Sequence, residues 1–274
     1  MITVVAGGDS FVYGSELKDC NFYTHSENTF TSLLAKHHNY DYQCVAWGGY
    51  SNSSIARSTM TKCEGLKSND LFVIVNWTFP GRYEFRFNYE TGERHSPWYN
   101  ITSWITEDDQ DAIKDQFSTF DQTIFDIQIK SIRRAKQSGV QDFAKTFYKH
   151  VGSSEYWEVY NTLKEIVYLQ NYFRLNNIPY MFTCADNSIM YNWTVNNPDD
   201  TITALLSQVN KHSDSWYWFP PGTDPHETCE PRGFYQWAIE NKYPVGATHP
   251  LEQAHNDAAK LMQEKFNELF KKSL

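Results

Sequence analysis

Ser10 is the residue whose setting most clearly permits covalent chemistry. It follows Gly7-Gly8-Asp9, directly after the apolar, β-branched run Ile2-Thr3-Val4-Val5-Ala6. Paired glycines open backbone conformations closed to other residues, so a serine after them can stand at a sharp corner with its hydroxyl outward and its amide N–H exposed. A serine so placed can attack an acyl carbon and help hold the oxyanion that results. Two other readings stay open on local sequence, ordinary turn chemistry and a phosphate cradle. Against a nucleotide loop, there is no Gly-x-x-x-x-Gly-Lys-Ser/Thr run, and Gly7, Gly8 and Gly14 do not make Gly-x-Gly-x-x-Gly.

Four stretches, in order along the chain, carry a resemblance to a known family. Gly8-Asp9-Ser10-Phe11 resembles block I of the SGNH (GDSL-type) hydrolases, with Phe11 where leucine is commoner. Ala46 to Ile55, read AWGGYSNSSI, resembles block II, whose glycine offers a backbone N–H to the oxyanion. Val73 to Thr78 occupies the place of block III, and His249-Pro250, followed by Glu252 and His255, resembles block V. The resemblance implies a serine esterase that uses neither metal nor cofactor. Ser10 would be its nucleophile and His249 the base that takes the proton and returns it to the leaving group. The N–H groups of Ser10 and Gly49 would bind the oxyanion, with Gly48 the adjacent alternative to Gly49.

Two of the blocks depart from the family pattern. Where Gly-x-Asn-Asp is usual, this chain has Asn76-Trp77-Thr78. Aligned by the strand end, Thr78 takes the asparagine's place and its hydroxyl offers one donor, while Asn76 is the rival that strand alternation points elsewhere. Block V is Asp-x-x-His in the family, but the residue three before His249 is Gly246. Either a Ser10 and His249 dyad suffices or a carboxylate comes from elsewhere, with Asp224 in the upstream loop as the candidate acid.

Asp9, Asn52, Asn76, Trp77, Arg82 and Glu84 are the further candidates to line the cleft. For Arg82 and Glu84 a salt bridge that fixes a lid is the alternative. His255 is expected to cap or pack rather than react, and His226 with Cys229 is too loosely spaced to read as a zinc site. The expected substrate is a small acyl ester such as an acetyl group on a carbohydrate. The competing class is a catalytically degenerate binding or particle-structural protein that keeps the hydrolase scaffold.

Composition narrows the setting. The chain has 274 residues, enough for one large α/β domain with insertions, and a formal charge of -9 that argues against a general nucleic-acid binder. Aromatic residues make up 16%, which suits a glycan or protein contact surface and equally an aromatic core. No stretch approaches the roughly 20 apolar residues that span a bilayer, so no membrane partner is expected. Met1 leads straight into the first strand without a basic segment or cleavage site, and the 5 cysteines form no metal-ligand pair. A reduced, cytoplasmic setting is the simplest expectation, with mounting on a particle left open. Oligomeric state is not readable.

The elements that must position these residues follow from the hydrophobic pattern. Strands are expected at Ile2–Ala6, Tyr42–Trp47, Asp70–Trp77 and Ile178–Cys184, with a short one at Ser215–Phe219. Helices are expected over Glu27–His38, from Ser51 through Leu66, over Phe117–Lys136, Glu155–Leu175, Thr201–Val209 and Gly233–Asn241, and from His249 to about Phe270. Alternating strands and helices imply a doubly wound parallel sheet, flavodoxin-like, in three α/β/α layers with right-handed crossovers. Residues 79–150 break the rhythm and read as an inserted, mostly helical and aromatic cap on a single domain spanning 1–274. Ser10, Gly48, Gly49 and Thr78 all fall just after expected strands, and an open parallel sheet gathers such positions at one rim.

Overall fold

The computed structural model describes residues 2–21, 23–66, 70–87, 98–107, 122–221 and 230–271. Its centre is a parallel sheet of four strands, β1 (Thr3–Gly7), β2 (Asp41–Cys44), β3 (Leu71–Trp77) and β6 (Tyr180–Cys184). They lie in the order β2-β1-β3-β6, with Val5 opposite Gln43 and Val73, and Val75 opposite Phe182. All seven residues of β3 are buried, as a continuous apolar run in a sheet covered on both faces requires. The expected strand at Ser215–Phe219 amounts to two isolated bridges, a parallel one from Trp216 to Phe182, where Tyr217 N–H donates to the Phe182 carbonyl at 2.7 Å, and an antiparallel one from Phe219 to Arg232. It would have been the fifth strand.

Strand alternation sorts the two cores. Val4, Ala6, Phe72, Ile74 and Met181 pack against α1 (Ser10–Tyr13), α2 (Phe30–His37) and the C-terminal helix Glu252–Lys271. Val5, Val73, Val75, Trp77 and Phe182 pack against α3 (Asn52–Glu64) and the helix Glu155–Leu175. This is the three-layer arrangement the alternation implied.

Within 79–150, β4 (Tyr83–Arg86) pairs antiparallel with β5 (Trp98–Ile101), and the helices Gln122–Gln137 and Val140–Phe147 follow. This segment has its own apolar cluster, in which Tyr83, Ile101, Ile105, Ile132, Val140 and Ala144 are buried together. Polar bonds fasten it to the scaffold. Asn100 Oδ1 accepts from the N–H of Ser51, the cap of α3, at 3.0 Å and lies 2.6 Å from the Ser54 hydroxyl on the first turn of that helix. Glu84 takes two bonds from Arg57, at 2.8 and 2.5 Å, and one from Ser54 at 2.7 Å. The entry into α3, which follows Gly48-Gly49, is therefore held by this segment.

Candidate active site

The turn that carries Ser10 is built by what Gly8 lacks. A Cβ there would stand 2.7 Å from Val12 Cβ, so only glycine lets the chain leave β1 and turn at once into α1. Asp9 caps that helix, its Oδ1 accepting from Phe11 N–H at 3.1 Å. Ser10 follows as the first helical residue, where its own N–H has no intrahelical acceptor.

His249 is delivered by the turn before the C-terminal helix. Val245 bridges Pro250, Gly246 N–H donates to the His249 carbonyl at 2.9 Å, and Leu251 N–H donates to the Pro244 carbonyl at 2.9 Å. The imidazole packs on the Phe11 ring with centroids 5.1 Å apart. Its Nε2 lies 2.7 Å from Ser10 Oγ.

On the far side of the ring, Nδ1 lies 2.7 Å from Glu16 Oε1, so a carboxylate does face His249 although Gly246 offers none. Glu16 sits just beyond α1 with φ of 71°, a left-handed conformation that costs a non-glycine residue about 1 kcal/mol or more. Its carboxylate is clamped by the turn it reaches. Thr248 donates its N–H at 3.1 Å and its hydroxyl at 2.8 Å, and His249 donates its N–H at 3.4 Å. Burial pushes the Glu16 carboxyl up, but the hydrogen bond and charge of His249 and the Thr248 donors outweigh it, and hold the group down at about 2. An ionised Glu16 makes Nδ1 the protonated nitrogen and leaves the Nε2 lone pair toward Ser10.

A second carboxylate ties Ser10 to the sheet. Asp9, fully buried, accepts the Thr78 hydroxyl at 2.5 Å and Arg82 Nη1–H at 3.0 Å through Oδ2. Arg82 also lies over the Phe79 ring, 5.1 Å from its centroid. Asn52, the first residue of α3, locks the end of β3. Its Oδ1 accepts Thr78 N–H at 2.9 Å and its Nδ2 donates to the Thr78 carbonyl at 3.1 Å. Gly49 has φ of +80°, a left-handed turn that favours glycine, and a Cβ there would meet nothing within 4 Å.

Several expectations change. Thr78 gives its hydroxyl proton to Asp9 and its N–H to Asn52, so it has no donor left for an oxyanion. Trp77 is a core residue, not a cleft one. It shares the strand parity of Val73 and Val75 and meets Phe182 edge to face at 5.3 Å. Asn76 points to the opposite face with Phe72 and Ile74, fully buried, and its amide has no hydrogen-bond partner among the described residues. Asn52 is likewise buried, and Glu84 belongs to the latch on α3. Asp224, His226 and Cys229 lie outside the described residues. His255 accepts Phe30 N–H at its Nδ1, 3.2 Å away, at the start of α2, the capping role expected of it.

The sequence reading missed Glu16, Thr248 and the space at Gly246. Glu16 lies outside the four matched blocks, and the left-handed turn that aims it at His249 leaves no mark in residue type. The available signal was the pairing of a vacant acid position, Gly246, with a carboxylate close behind the nucleophile turn.

Among the described residues no group of three or more His, Cys, Asp or Glu is arranged to hold a metal ion. No helix among them is long and apolar enough to cross a membrane.

No protein-family model matches the sequence, nor does any curated protein. Solved structures similar to it include an acetyl xylan esterase, Est2A, from the rumen bacterium Butyrivibrio proteoclasticus, at 13% identity and a TM-score of 0.45. That match covers 98% of this chain, which spans 64% of the length of Est2A. The psychrotrophic esterase EstA from Pseudoalteromonas sp. is similar at 11% identity and a TM-score of 0.43, covering 99% of this chain and 98% of that one. A member of the lipolytic protein G-D-S-L family from Veillonella parvula is similar at 10% identity and a TM-score of 0.41, covering 99% of each. Esterases and a member of the lipolytic G-D-S-L family are thus among the solved structures similar to this chain.

Proposed function

We propose that this chain is a metal-independent serine hydrolase of the SGNH type that cleaves a small acyl ester, with O-acetylated carbohydrate as the leading substrate class. The observation that carries the reading is the unbroken file from Ser10 Oγ to His249 Nε2, 2.7 Å, and from His249 Nδ1 to Glu16 Oε1, 2.7 Å. Ser10 Oγ attacks the acyl carbon as its proton passes to His249 Nε2, and Glu16 stabilises the imidazolium. The donors assigned to the developing oxyanion are the backbone N–H groups of Ser10 and of Gly49 or its neighbour Gly48. Collapse of the tetrahedral adduct breaks the ester C–O bond, and His249 returns the proton to the departing alcohol. A water then attacks the acyl-enzyme, gives a proton to His249, and the acid leaves as Ser10 regains its hydrogen.

The alternative, a degenerate scaffold that only binds, drew on two losses. A carboxylate stands beside His249 after all, which favours the catalytic reading. Thr78 is committed elsewhere, which reduces the oxyanion donors to backbone groups and predicts a slower enzyme by about 10²-fold than one with a third donor.

The test is direct. A fluorophosphonate probe should label wild type at Ser10, and p-nitrophenyl acetate hydrolysis should fall by about 10⁴-fold or more in Ser10→Ala. Release of acetate from acetylated xylan against p-nitrophenyl acetate then addresses the carbohydrate class. Absence of labelling, or undiminished turnover in Ser10→Ala, ends the proposal.

A further inference from the structure

The backbone at residue 246 carries a second lesson, one that rests on the hydrolase reading above. Gly246 has an ordinary hydrogen-bonded place in the turn before His249, so its lack of a side chain is not required by that bond. What requires it is Glu16. A Cβ added at Gly246 would overlap Glu16 Oε2, inside the 3.0 Å that real Cβ atoms keep, and would stand 3.3 Å from Glu16 Cδ and 3.4 Å from Glu16 Cβ. The overlap falls on the carboxylate head, and the arm behind it already stands in close contact.

That arm has little freedom to yield. Glu16 is held at its backbone by a left-handed φ and at its head by Thr248 and His249. Two residues further on, the chain is tied again, since Lys18 N–H donates to Glu252 Oε1 at 3.1 Å on the first turn of the C-terminal helix. A methyl group at 246 therefore cannot be met by a small swing of a flexible side chain. It must push the carboxylate off Nδ1 or open the contact between the N-terminal arm and the His249 turn.

We propose that Gly246 is a positioning residue of the active site: its empty side is the space from which Glu16 orients His249, so residue 16 or residue 246 can carry the orienting carboxylate, but not both. The second half follows from the same overlap. A side chain rooted at 246 begins where Glu16 Oε2 now lies, and the other oxygen of that carboxylate is the one 2.7 Å from Nδ1. An aspartate at 246 would thus place its carboxyl in the vacated site once Glu16 is shortened.

Four variants test this on the full chain: Gly246→Ala, Glu16→Ala, Gly246→Ala with Glu16→Ala, and Glu16→Ala with Gly246→Asp. Turnover of p-nitrophenyl acetate is read against pH, with thermal melting alongside. Gly246→Ala should lose kcat by about 10²-fold or more, and adding Glu16→Ala should cost little further, because both remove one interaction. The Glu16→Ala/Gly246→Asp protein should regain about tenfold or more over Glu16→Ala alone.

A readout independent of turnover separates this inference from the hydrolase reading. In Ser10→Ala protein, the proton shared between Nδ1 and Glu16 should give a downfield NMR resonance, lost with Gly246→Ala and restored in the transplant. If wild type neither labels nor turns over while that resonance follows the pattern, the hydrolase reading fails and the positioning stands. Gly246→Ala with turnover within about twofold of wild type, or with the resonance intact, overturns the positioning. A folded transplant with neither activity nor resonance above Glu16→Ala overturns the exchange of positions.

Discussion

Asp9 and Glu16 lie on either side of Ser10 in the chain, and both carboxylates are withdrawn from water, yet their partners differ in kind. Asp9 accepts from Phe11 N–H, the Thr78 hydroxyl and Arg82, groups that keep their protons through any acyl transfer. Glu16 accepts from Thr248 and from His249, whose protonation must alternate in the proposed cycle. One carboxylate therefore joins α1 to the end of β3 and to Arg82 just beyond it, and the other answers a charge that comes and goes in that cycle. The difference teaches that burial and hydrogen bonding alone do not define a catalytic acid. What does is whether a partner changes its charge during the reaction.

The contrast can be broken by removing each charge in turn. Glu16→Gln should reduce kcat by about 10³-fold, since a glutamine neither fixes the tautomer nor stabilises imidazolium. Its melting temperature should fall less than that of Asp9→Asn. The pH dependence has a definite sign. The Glu16 carboxyl is held down at about 2 in the fold against 4.5 ordinarily, so its stabilising contribution is present above pH 4.5 and is lost as pH falls toward 2. Melting curves of wild type and Glu16→Gln should converge over that interval. A gap that widens there would refute the assignment.

Asp9→Asn should show the reverse balance. Thr78 and Arg82 lose a charged acceptor, at a cost of about 2 kcal/mol in stability, because Arg82 keeps some access to water. Activity at a temperature where the variant is folded should fall by about tenfold, through displacement of Ser10 rather than loss of a chemical group. Chemical denaturation gives the first number and initial rates the second. An Asp9→Asn protein as stable as wild type would mean that Asp9 does not frame the site.

The sequence reading explains why one carboxylate was easier to place than the other. Asp9 lies inside a motif, and the strand pattern already put Thr78 at the same rim, so their proximity was legible even though Thr78 was assigned the wrong task. The sheet was legible because β1, β3 and β6 are short β-branched or aromatic runs with helical periodicity between them. Trp77 was misjudged because one residue of strand parity decides between cleft and core, and the rim position hid that. Ser215–Phe219 carries aromatic strand formers, yet it meets β6 only around Phe182 and then turns Phe219 to Arg232, because propensity does not supply a register. Glu16 was not legible: a glutamate after a short helix has no periodicity to mark it, and its role depends on a left-handed residue and on room at Gly246 in a distant turn.

An effect on stability alone keeps the acid limb from being credited to the carboxylates. His255 lies fully within the core between Phe30 and Phe234, its ring 5.8 and 4.8 Å from theirs. Burial, aided by the nearby charge of His249 and opposed by a hydrogen bond to the Pro250 carbonyl, pushes its imidazole down to about 3 from 6.5. Between those values the unfolded chain binds a proton that the fold refuses, so stability must fall as pH drops from 6.5 toward 3, by at most about 1.4 kcal/mol per pH unit. This loss begins where Glu16 is still fully ionised in either state, which separates the two groups in pH. His255→Gln should lower stability at neutral pH, since it leaves Phe30 N–H and the aromatic rings less well matched, but should flatten the slope between pH 6.5 and 4.5. Urea denaturation of wild type and variant at a series of pH values measures this. If the slope persists in His255→Gln, the acid sensitivity belongs to another group, and the pH interval assigned to Glu16 would have to be redrawn with it.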